Sequence, residues 1–319
     1  MTSVGLGKII LLGEHAVVYG FPALAAALDR GVTVDAIPTP AGGSLRIDIP
    51  AWGLRVLASD DHPVSRSLIA IADTLGVGRP PVTLVGDAQI PPGAGLGSSA
   101  ALAVACARAL LAYKVDDARA RSTAEGGIDK RKVDAALVAE AAAASEALMH
   151  GRASGIDVAF AASGGIGVYR RASGVRPLRG TQLRVLVGPS GSPRSTAEMV
   201  QRVADATSGP HSQSADDARL LELGNLTDAG TVALMAGEHG KLGAAMNRAH
   251  EILAGLGVST AQLDQLCAAA RLAGAHGAKL TGAGGGGAVI AIAPREREKA
   301  ILDTWKQDGV DGFVATVGG

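Results

Sequence analysis

Aromatic residues and cysteines are scarce in this 319-residue chain: Phe, Trp and Tyr together make up 3% of it, and there are two cysteines. A chain of this length needs no disulfide bonds, because it can bury about 75% of the surface that its unfolded form exposes. Cys106 and Cys267 both lie in apolar, helix-like segments, so we expect buried thiols rather than a disulfide or a metal site. With few aromatic side chains, the core must consist mainly of Ala, Val, Leu and Ile.

An excess of charge of either sign is also missing, since there are 30 Lys and Arg residues and 30 Asp and Glu residues. This balance argues against nucleic acid or an anionic membrane as the main partner. The start, MTSVGLGKIILLGEH, has only a short apolar stretch, which ends at Glu14 and His15, so we predict neither a signal peptide nor a membrane-spanning helix. We therefore expect a cytoplasmic protein without nucleic acid or membrane among its partners.

The pattern of apolar residues predicts a mixed α and β protein. Alternation at 45–49 and 82–90 predicts strands, and the spacing of apolar residues over 64–75 predicts an amphipathic helix. Residues 21–30 are expected to form a short helix or turn before a strand at about 32–37. A polar break around 172–182 suggests a domain boundary, so we place an N-terminal domain at 1–180 and a C-terminal domain at 181–319.

Glycine is abundant, with 44 residues, and it occurs in clusters. One cluster, PPGAGLGSSAA at 91–101, follows a predicted strand and leads into an apolar helix. Backbone N–H groups without side chains at a helix N-terminus favour a phosphate, through hydrogen bonds and the helix dipole. The two serines add hydroxyls that can cap the helix or bind a phosphate or a magnesium ion. The structural alternative is an N-cap serine after a flexible loop.

Two common phosphate-binding motifs do not fit this loop. Walker A requires a lysine directly after the last glycine, where this chain has Ser98. The dinucleotide-binding motif requires glycines at relative positions one, three and six, whereas here they occupy one, three and five. We still expect the helix start to bind an anion. This loop alone does not identify which anion it is.

The order of several motifs resembles the GHMP kinases, a superfamily named after galactokinase, homoserine kinase, mevalonate kinase and phosphomevalonate kinase. PPGAGLGSSAA resembles their central motif, and GKIILLGEHAVVYG at 7–20 resembles the N-terminal motif in the form typical of mevalonate kinases. KLTGAGGGGAVIAI at 279–292 is similar to the C-terminal motif. HGRASGIDVA at 150–159 corresponds to HGxPSGxD, with Ala153 in place of the usual proline and Arg152 as an unusual neighbour.

This resemblance implies the GHMP kinase fold, an α+β architecture of two α/β lobes. The N-terminal lobe would be like domain 2 of ribosomal protein S5, and the C-terminal lobe would be ferredoxin-like.

The same resemblance implies phosphoryl transfer from ATP with Mg²⁺, and a role for particular residues. Asp157 would be the general base that takes the acceptor's hydroxyl proton, and Lys8 would lie beside it and neutralise charge. Ser99 and Glu146 would be the magnesium ligands. The nucleotide would be bound by Pro92, Gly93, Ala94, Gly95, Leu96, Gly97, Ser98, Ser99 and Ala100. The acceptor would be bound by Glu14, His15, Tyr19, Thr281, Gly282, Ala283 and Gly284.

Each charged residue also has a purely structural interpretation. Ser154 and Asp157 have the Ser-x-x-Asp spacing of a capping box, so Asp157 could satisfy a helix start, alone or in addition to catalysis. Glu146 could be a solvated charge on a helix. Lys8 could be a surface lysine whose stem covers apolar residues.

The acceptor implied by GEHAVVYG is mevalonate, so the expected reaction is ATP-dependent formation of 5-phosphomevalonate in isoprenoid biosynthesis. Phosphomevalonate kinase or another GHMP small-molecule kinase is the alternative within the fold. A non-catalytic nucleotide-binding sensor is a third possibility, and it predicts loss of Lys8 or Asp157, both of which are present. The resemblance leaves the oligomeric state open, a homodimer included.

Overall fold

The computed structural model describes residues 2–40, 42–121, 135–150, 154–192, 195–208 and 217–318, so Arg152 and Ala153 lie outside the described residues. In the described residues the strands are β1 (Ser3–Leu12), β2 (Ala23–Pro38), β3 (Arg46–Ile49), β4 (Leu54–Leu57), β5 (Val82–Ala88), β6 (Ile166–Arg170), β7 (Gly174–Pro177), β8 (Gln182–Pro189), β9 (Gly277–Thr281), β10 (Ala288–Ile292) and β11 (Phe313–Gly318). The helices are α1 (Pro63–Thr74), α2 (Ser98–Arg121), α3 (Ala135–His150), α4 (Ile156–Ser163), α5 (Thr196–Thr207), α6 (Ala218–Met235), α7 (His239–Gly255), α8 (Ala261–Leu272) and α9 (Arg295–Gln307). Short 3₁₀ helices cover Ala16–Tyr19 and Pro50–Trp52.

The strands predicted at 45–49 and 82–90 and the helix predicted at 64–75 are present as β3, β5 and α1. The short helix or turn predicted at 21–30 is wrong, because β2 already begins at Ala23 and pairs through Ala26 with β6. The run ALAAAL at 23–28 is buried throughout. A short apolar run that is buried on both faces lacks a period of two, and so its sequence does not distinguish a strand from a helix.

One compact unit consists of Met1–Gly7, Arg30–Pro91 and Gly97–Ser163. Its strands are hydrogen-bonded in the order β4–β3–β5–β2, with β3 parallel to β5 and the other pairs antiparallel. Helices α1 to α4 pack against one another. The first turn of α2 lies so close to β1 that a Cβ atom on Gly5 would be 1.9 Å from the carbonyl oxygen of Ala101. Glycine at this position therefore fixes the start of α2 beside β1.

The other compact unit consists of Lys8–Asp29, Pro92–Leu96 and Gly164–Gly319. In it β6 pairs with the first residues of β2 and with β7, and a separate antiparallel sheet has the order β11–β8–β10–β9. From β8 onwards, strands and helices follow one another as βαββαβ, with four helices in the first crossover. This is the ferredoxin-like order, as expected. Trp305 of α9 is completely buried and donates from Nε1 to the carbonyl of Leu266 at 2.9 Å, which fixes α9 to α8.

The two units interleave along the sequence, and the domain boundary at 180/181 stays a prediction. Both cysteines are free thiols in the core, as predicted, and burial raises the pKa of each to about 12. Within the described residues, one window, Ser98–Val115 of α2, is long and apolar enough to cross a membrane. More than half of it, 56%, is buried inside the protein, as in the core helix of a globular protein.

Candidate active site

The glycine loop before α2 has a backbone of alternating conformation. Gly93, Gly95 and Gly97 have φ angles of 72°, 77° and 72°, a left-handed conformation that other residues rarely adopt. At Gly93 a Cβ atom would meet nothing within 4 Å, so the backbone conformation rather than space requires glycine there. Left-handed residues that alternate with ordinary ones can turn successive N–H groups towards one anion. α2 begins at Ser98, directly after the last of these glycines.

Lys8 on β1 is attached to this loop through both its backbone and its side chain. Its backbone N–H donates to the carbonyl of Leu96 at 2.8 Å, and its Nζ donates to the carbonyl of Gly95 at 3.3 Å. Lys8 is 2% exposed, so the interpretation as a surface lysine is excluded. A buried ammonium therefore lies beside the backbone that is expected to bind phosphates.

The turn after β1 is strained at His15. The backbone N–H of Ala16 donates to the carbonyl of Glu14 at 2.6 Å, which closes a γ-turn with His15 at its centre. His15 has φ 59° and ψ −48°, and among the described residues it is the one non-glycine residue with a positive φ. This form of the γ-turn is rare, and strained residues of this kind cost of order 1–3 kcal/mol and cluster at functional sites.

We expect the His15→Gly variant to be more stable than His15→Ala by about 1 kcal/mol in the free energy of unfolding in urea. Both variants lose the imidazole, but only alanine has to hold a Cβ atom at this φ angle. In ordinary helical backbone alanine is instead more stable than glycine. As a control, the change Ala229→Gly at an exposed position of α6 should lower the free energy of unfolding by about 1 kcal/mol. An alanine variant at position 15 as stable as the glycine variant would show that the turn is not strained.

Three contacts connect this N-terminal segment to β9 and the glycine loop that follows it. Ile10 and Thr281 exchange two hydrogen bonds: the Ile10 N–H donates to Thr281 Oγ1 at 2.9 Å, and that hydroxyl donates to the Ile10 carbonyl at 3.1 Å. His15 Nε2 donates to the carbonyl of Ala283 at 2.9 Å. Lys279 Nζ donates to Glu14 Oε1. The first and the last sequence motifs therefore lie side by side in one compact unit.

Several residues in these contacts are ones that the family resemblance assigns to acceptor binding. Thr281 is completely buried and its only hydroxyl proton is used by Ile10, so in this arrangement the hydroxyl has no proton to donate to a phosphate. Gly282 and Gly284 have φ angles of 81° and 79°. A Cβ atom on Gly284 would lie 2.1 Å from the carbonyl oxygen of Val258, so this loop also requires glycine for space. Tyr19 is half-buried at the end of the 3₁₀ helix, and the acceptor roles of all these residues stay predictions.

The proposed magnesium ligands and the proposed base lie in the other unit. Ser99 is in the first turn of α2, Glu146 is in α3, and Asp157 is in the first turn of α4, and these helices pack against one another. Glu146 is 3% exposed, so the interpretation as a solvated charge is excluded. Asp157 is half-buried, and Ser154 Oγ accepts a long hydrogen bond of 3.4 Å from the N–H of Ile156. The convergence of Asp157 with Lys8 on one hydroxyl stays a prediction.

Sequence reasoning missed the buried ion pair that Lys279 forms with Glu14. Its side chain is 0% exposed and that of Glu14 is 1% exposed, so the ion pair between them is fully buried. Burial raises the pKa of Glu14, and the positive charges of Lys279 and Lys8 oppose that rise. Burial lowers the pKa of Lys279, and the charge of Glu14 opposes that fall. The sequence carries no clear signal of this pair, since only the structure shows that all five residues of β9 are buried.

Comparison with known proteins identifies the family. A model described as the GHMP kinases N terminal domain matches residues 63–165, and one described as GHMP kinases C terminal matches residues 231–311. The chain is 36% identical over 315 residues to the mevalonate kinase of Thermococcus sibiricus, an alignment that covers 92% of this chain and 89% of that protein. The chain belongs to the mevalonate kinase family.

Solved structures of mevalonate kinases have the same fold. The Methanococcus jannaschii enzyme matches with a TM-score of 0.81 and 25% identity, over 100% of this chain and 98% of that one. The L. major enzyme, in complex with R-mevalonate, matches with a TM-score of 0.78 and 26% identity, over 100% and 96%. The GHMP kinase fold predicted from the motifs is thereby confirmed. In this member of the mevalonate kinase family, the matched N-terminal region contains the central glycine loop and Asp157, and the matched C-terminal region contains Thr281 and Ala283.

Proposed function

We propose that this protein transfers the terminal phosphoryl group of ATP to the 5-hydroxyl of mevalonate, which gives ADP and 5-phosphomevalonate. The observation that carries this proposal is the contact of the N-terminal motif with both glycine loops: Lys8 reaches Gly95, and His15 reaches Ala283. A phosphoryl transferase needs nucleotide and acceptor groups brought to one place, and this segment touches both candidate binding loops. The family relatives support mevalonate as the acceptor.

In this proposal the loop 92–100 binds the nucleotide phosphates. Its alternating left-handed glycines and the N-terminus of α2 favour negative charge without any side chain having to move. The ammonium of Lys8 adds a full positive charge beside the loop. Because Lys8 is almost completely buried, its charge is screened less by water than a surface charge would be.

The chemical step needs one proton transfer and one exchange of bonds at phosphorus. Asp157 takes the proton of the acceptor hydroxyl, and the oxygen forms a bond to the terminal phosphorus while the bond to the β–γ bridging oxygen breaks. ADP leaves with that oxygen. Lys8 neutralises the charge on the transferring phosphoryl oxygens, an interaction that is strongest in the transition state.

Magnesium fits two oxygen donors of the same helical unit. Ser99 offers a hydroxyl and Glu146 a buried carboxylate, which are hard ligands of the kind that Mg²⁺ prefers. Among the described residues no group of three or more His, Cys, Asp or Glu side chains could hold a metal ion. Two protein ligands suit a kinase, in which phosphates and water complete the octahedral shell. When bound, the ion would neutralise charge on the nucleotide phosphates.

The acceptor would be bound by Glu14, His15 and Tyr19 from the N-terminal segment and by Gly282 to Gly284 from the loop after β9, and Thr281 would act by attaching this loop to Ile10. The strained γ-turn at His15 supports this placement, because such strain persists where the surroundings impose it and is common at ligand sites. We propose a small-molecule acceptor as the partner, a cytoplasmic location, and no nucleic acid or membrane partner. A homodimer stays a prediction.

The reaction is tested with an acceptor panel. Release of ADP is measured with ATP, magnesium and, in turn, mevalonate, 5-phosphomevalonate, galactose and homoserine. We expect kcat/KM for mevalonate to exceed that for each of the others by about 100-fold or more, since the acceptors differ in groups that the site has to hydrogen-bond or exclude. Faster turnover of 5-phosphomevalonate would instead assign the alternative kinase. Nucleotide binding without turnover of any acceptor would indicate the non-catalytic sensor.

A further inference from the structure

Lys279 forms a buried ion pair that the proposed reaction does not use. It lies at the centre of β9, opposite Ile290 of β10, and its ammonium donates to Glu14 Oε1. Both side chains are almost completely removed from water. Taking two charges out of water costs about as much as their attraction returns, or more, and a well-packed apolar pair is often at least as stable. Stability alone therefore does not explain the pair.

The main chain that carries Lys279 is fixed on the side of the helices. Lys279 Nζ also donates to the carbonyl of Leu280 at 2.6 Å. The N–H of Leu280 donates to His250 Nδ1 at 3.3 Å. The other ring nitrogen of His250 donates to Asp264 Oδ1 at 3.0 Å. Burial lowers the pKa of His250, which agrees with the neutral ring that accepts at Nδ1. The ammonium of Lys279 is thus held at a fixed point beside Glu14.

Lys8 is the second cation whose charge acts on Glu14. Its positive charge lowers the pKa of that carboxyl, as does that of Lys279, although burial has the larger and opposite effect. Lys8 Nζ donates to the Gly95 carbonyl of the loop 92–100, here called the phosphate loop. Glu14 makes its ion pair with Lys279, and Glu14 Oε2 is buried without a hydrogen-bond partner among the described groups. The carboxylate can therefore still accept from a second cation.

We propose that Lys279 is a positioning residue for Lys8. By pairing with Glu14, Lys279 keeps this buried carboxylate from drawing the Lys8 ammonium away from the phosphate loop. Without Lys279, Lys8 is the one cation among the described residues whose charge still acts on this desolvated carboxylate, and their pairing would compete with the contact of Lys8 to the phosphates. This inference rests on the proposed function, in which Lys8 neutralises charge on the transferring phosphoryl group.

The test combines Lys279→Met with the double variant Glu14→Gln/Lys279→Met. In Lys279→Met we expect kcat to fall by about 30-fold and the affinity for MgATP by about tenfold, while KM for the acceptor changes less than about threefold. The double variant removes the competing anion, so its kcat and its affinity for MgATP should recover by about tenfold relative to Lys279→Met. Its acceptor KM can rise, since Glu14 is assigned to the acceptor.

The recovery separates positioning from simple support of β9. If Lys279 only supported the strand, neutralising Glu14 would restore neither kcat nor the affinity for MgATP, and this result would overturn the proposal. A folded Lys279→Met variant with unchanged kcat and unchanged affinity for MgATP would overturn it as well. If that variant does not fold, Lys279→Gln, which keeps amide donors near Glu14, takes its place in both comparisons. Arg184→Met breaks another ion pair of the same unit, Arg184 with Glu298, and should change neither readout.

Two readouts keep this proposal distinct from the proposed function. Turnover is compared with that of the parent enzyme, using whichever acceptor the parent phosphorylates, so a wrong acceptor changes the substrate but not the comparison. Affinity for MgATP is measured by calorimetry without any acceptor. Failure of the parent to phosphorylate any acceptor would reject the proposed function, whereas equal MgATP affinity in the single and double variants would reject the role of Lys279.

Discussion

Replacing Asp157 with asparagine is expected to lower kcat for mevalonate by about 1,000-fold, within the range for loss of a general base, while the affinity for MgATP changes less than about threefold. Asparagine has nearly the same shape but cannot take the hydroxyl proton. The residue lies in the first turn of α4, three positions after Ser154, where a side-chain oxygen can accept from an N–H group at the helix start, and asparagine keeps such an oxygen. Steady-state turnover and calorimetric titration with MgATP measure the two quantities.

The Asp157→Ala variant separates catalysis from helix capping. Both variants lack the base, so their kcat values should be equally low, but only alanine loses the polar group and should be less stable in urea, by about 1 kcal/mol. Near-normal turnover in Asp157→Asn together with a loss in Asp157→Ala would mean that the residue acts through the structure of α4. Asp157 would then not be the base of the proposed reaction.

Local patterns in the sequence predicted those parts of the fold that local physics determines. The glycine loop leads into a helix as predicted, and α2 begins where the two serines stand. Alternation and helical spacing placed β3, β5 and α1 correctly. Over most of these segments one face is more buried than the other, so the sequence itself shows the period of the strand or helix.

Features that depend on distant partners were not predictable in this way. β2 begins in an alanine-rich run that is buried on both faces, so its pattern has no period, and its strand conformation is decided by its pairing with β6. The pair of Lys279 and Glu14 joins residues 265 positions apart. A lysine inside a strand usually marks an exposed position, and only the tertiary structure shows that this one is completely buried. The γ-turn at His15 likewise has no local signature, because a histidine rarely adopts a positive φ unless its surroundings require it.

The second large effect is expected for Lys8→Met, which keeps the length and the apolar stem of the side chain but removes its charge. We expect kcat to fall by about 100- to 1,000-fold, because a buried charge aimed at developing negative charge contributes mainly in the transition state. Lys8→Arg should recover little of this loss. Lys8 is 2% exposed, and its Nζ lies at the Gly95 carbonyl, so a wider planar guanidinium has no room to take the same position.

The matched control is Lys114→Met on α2. Lys114 also donates from Nζ to a backbone carbonyl, that of Leu75 at 3.0 Å, but it is exposed and lies about four helical turns after the start of α2. Its replacement should leave kcat within about twofold, since an exposed charge is screened by water. A Lys8→Met variant that kept normal kcat, with its fold intact by circular dichroism, would contradict a catalytic role for this lysine. The purpose of the Lys279–Glu14 pair would then have to be sought in acceptor binding, because the position of the Lys8 ammonium would no longer matter to turnover.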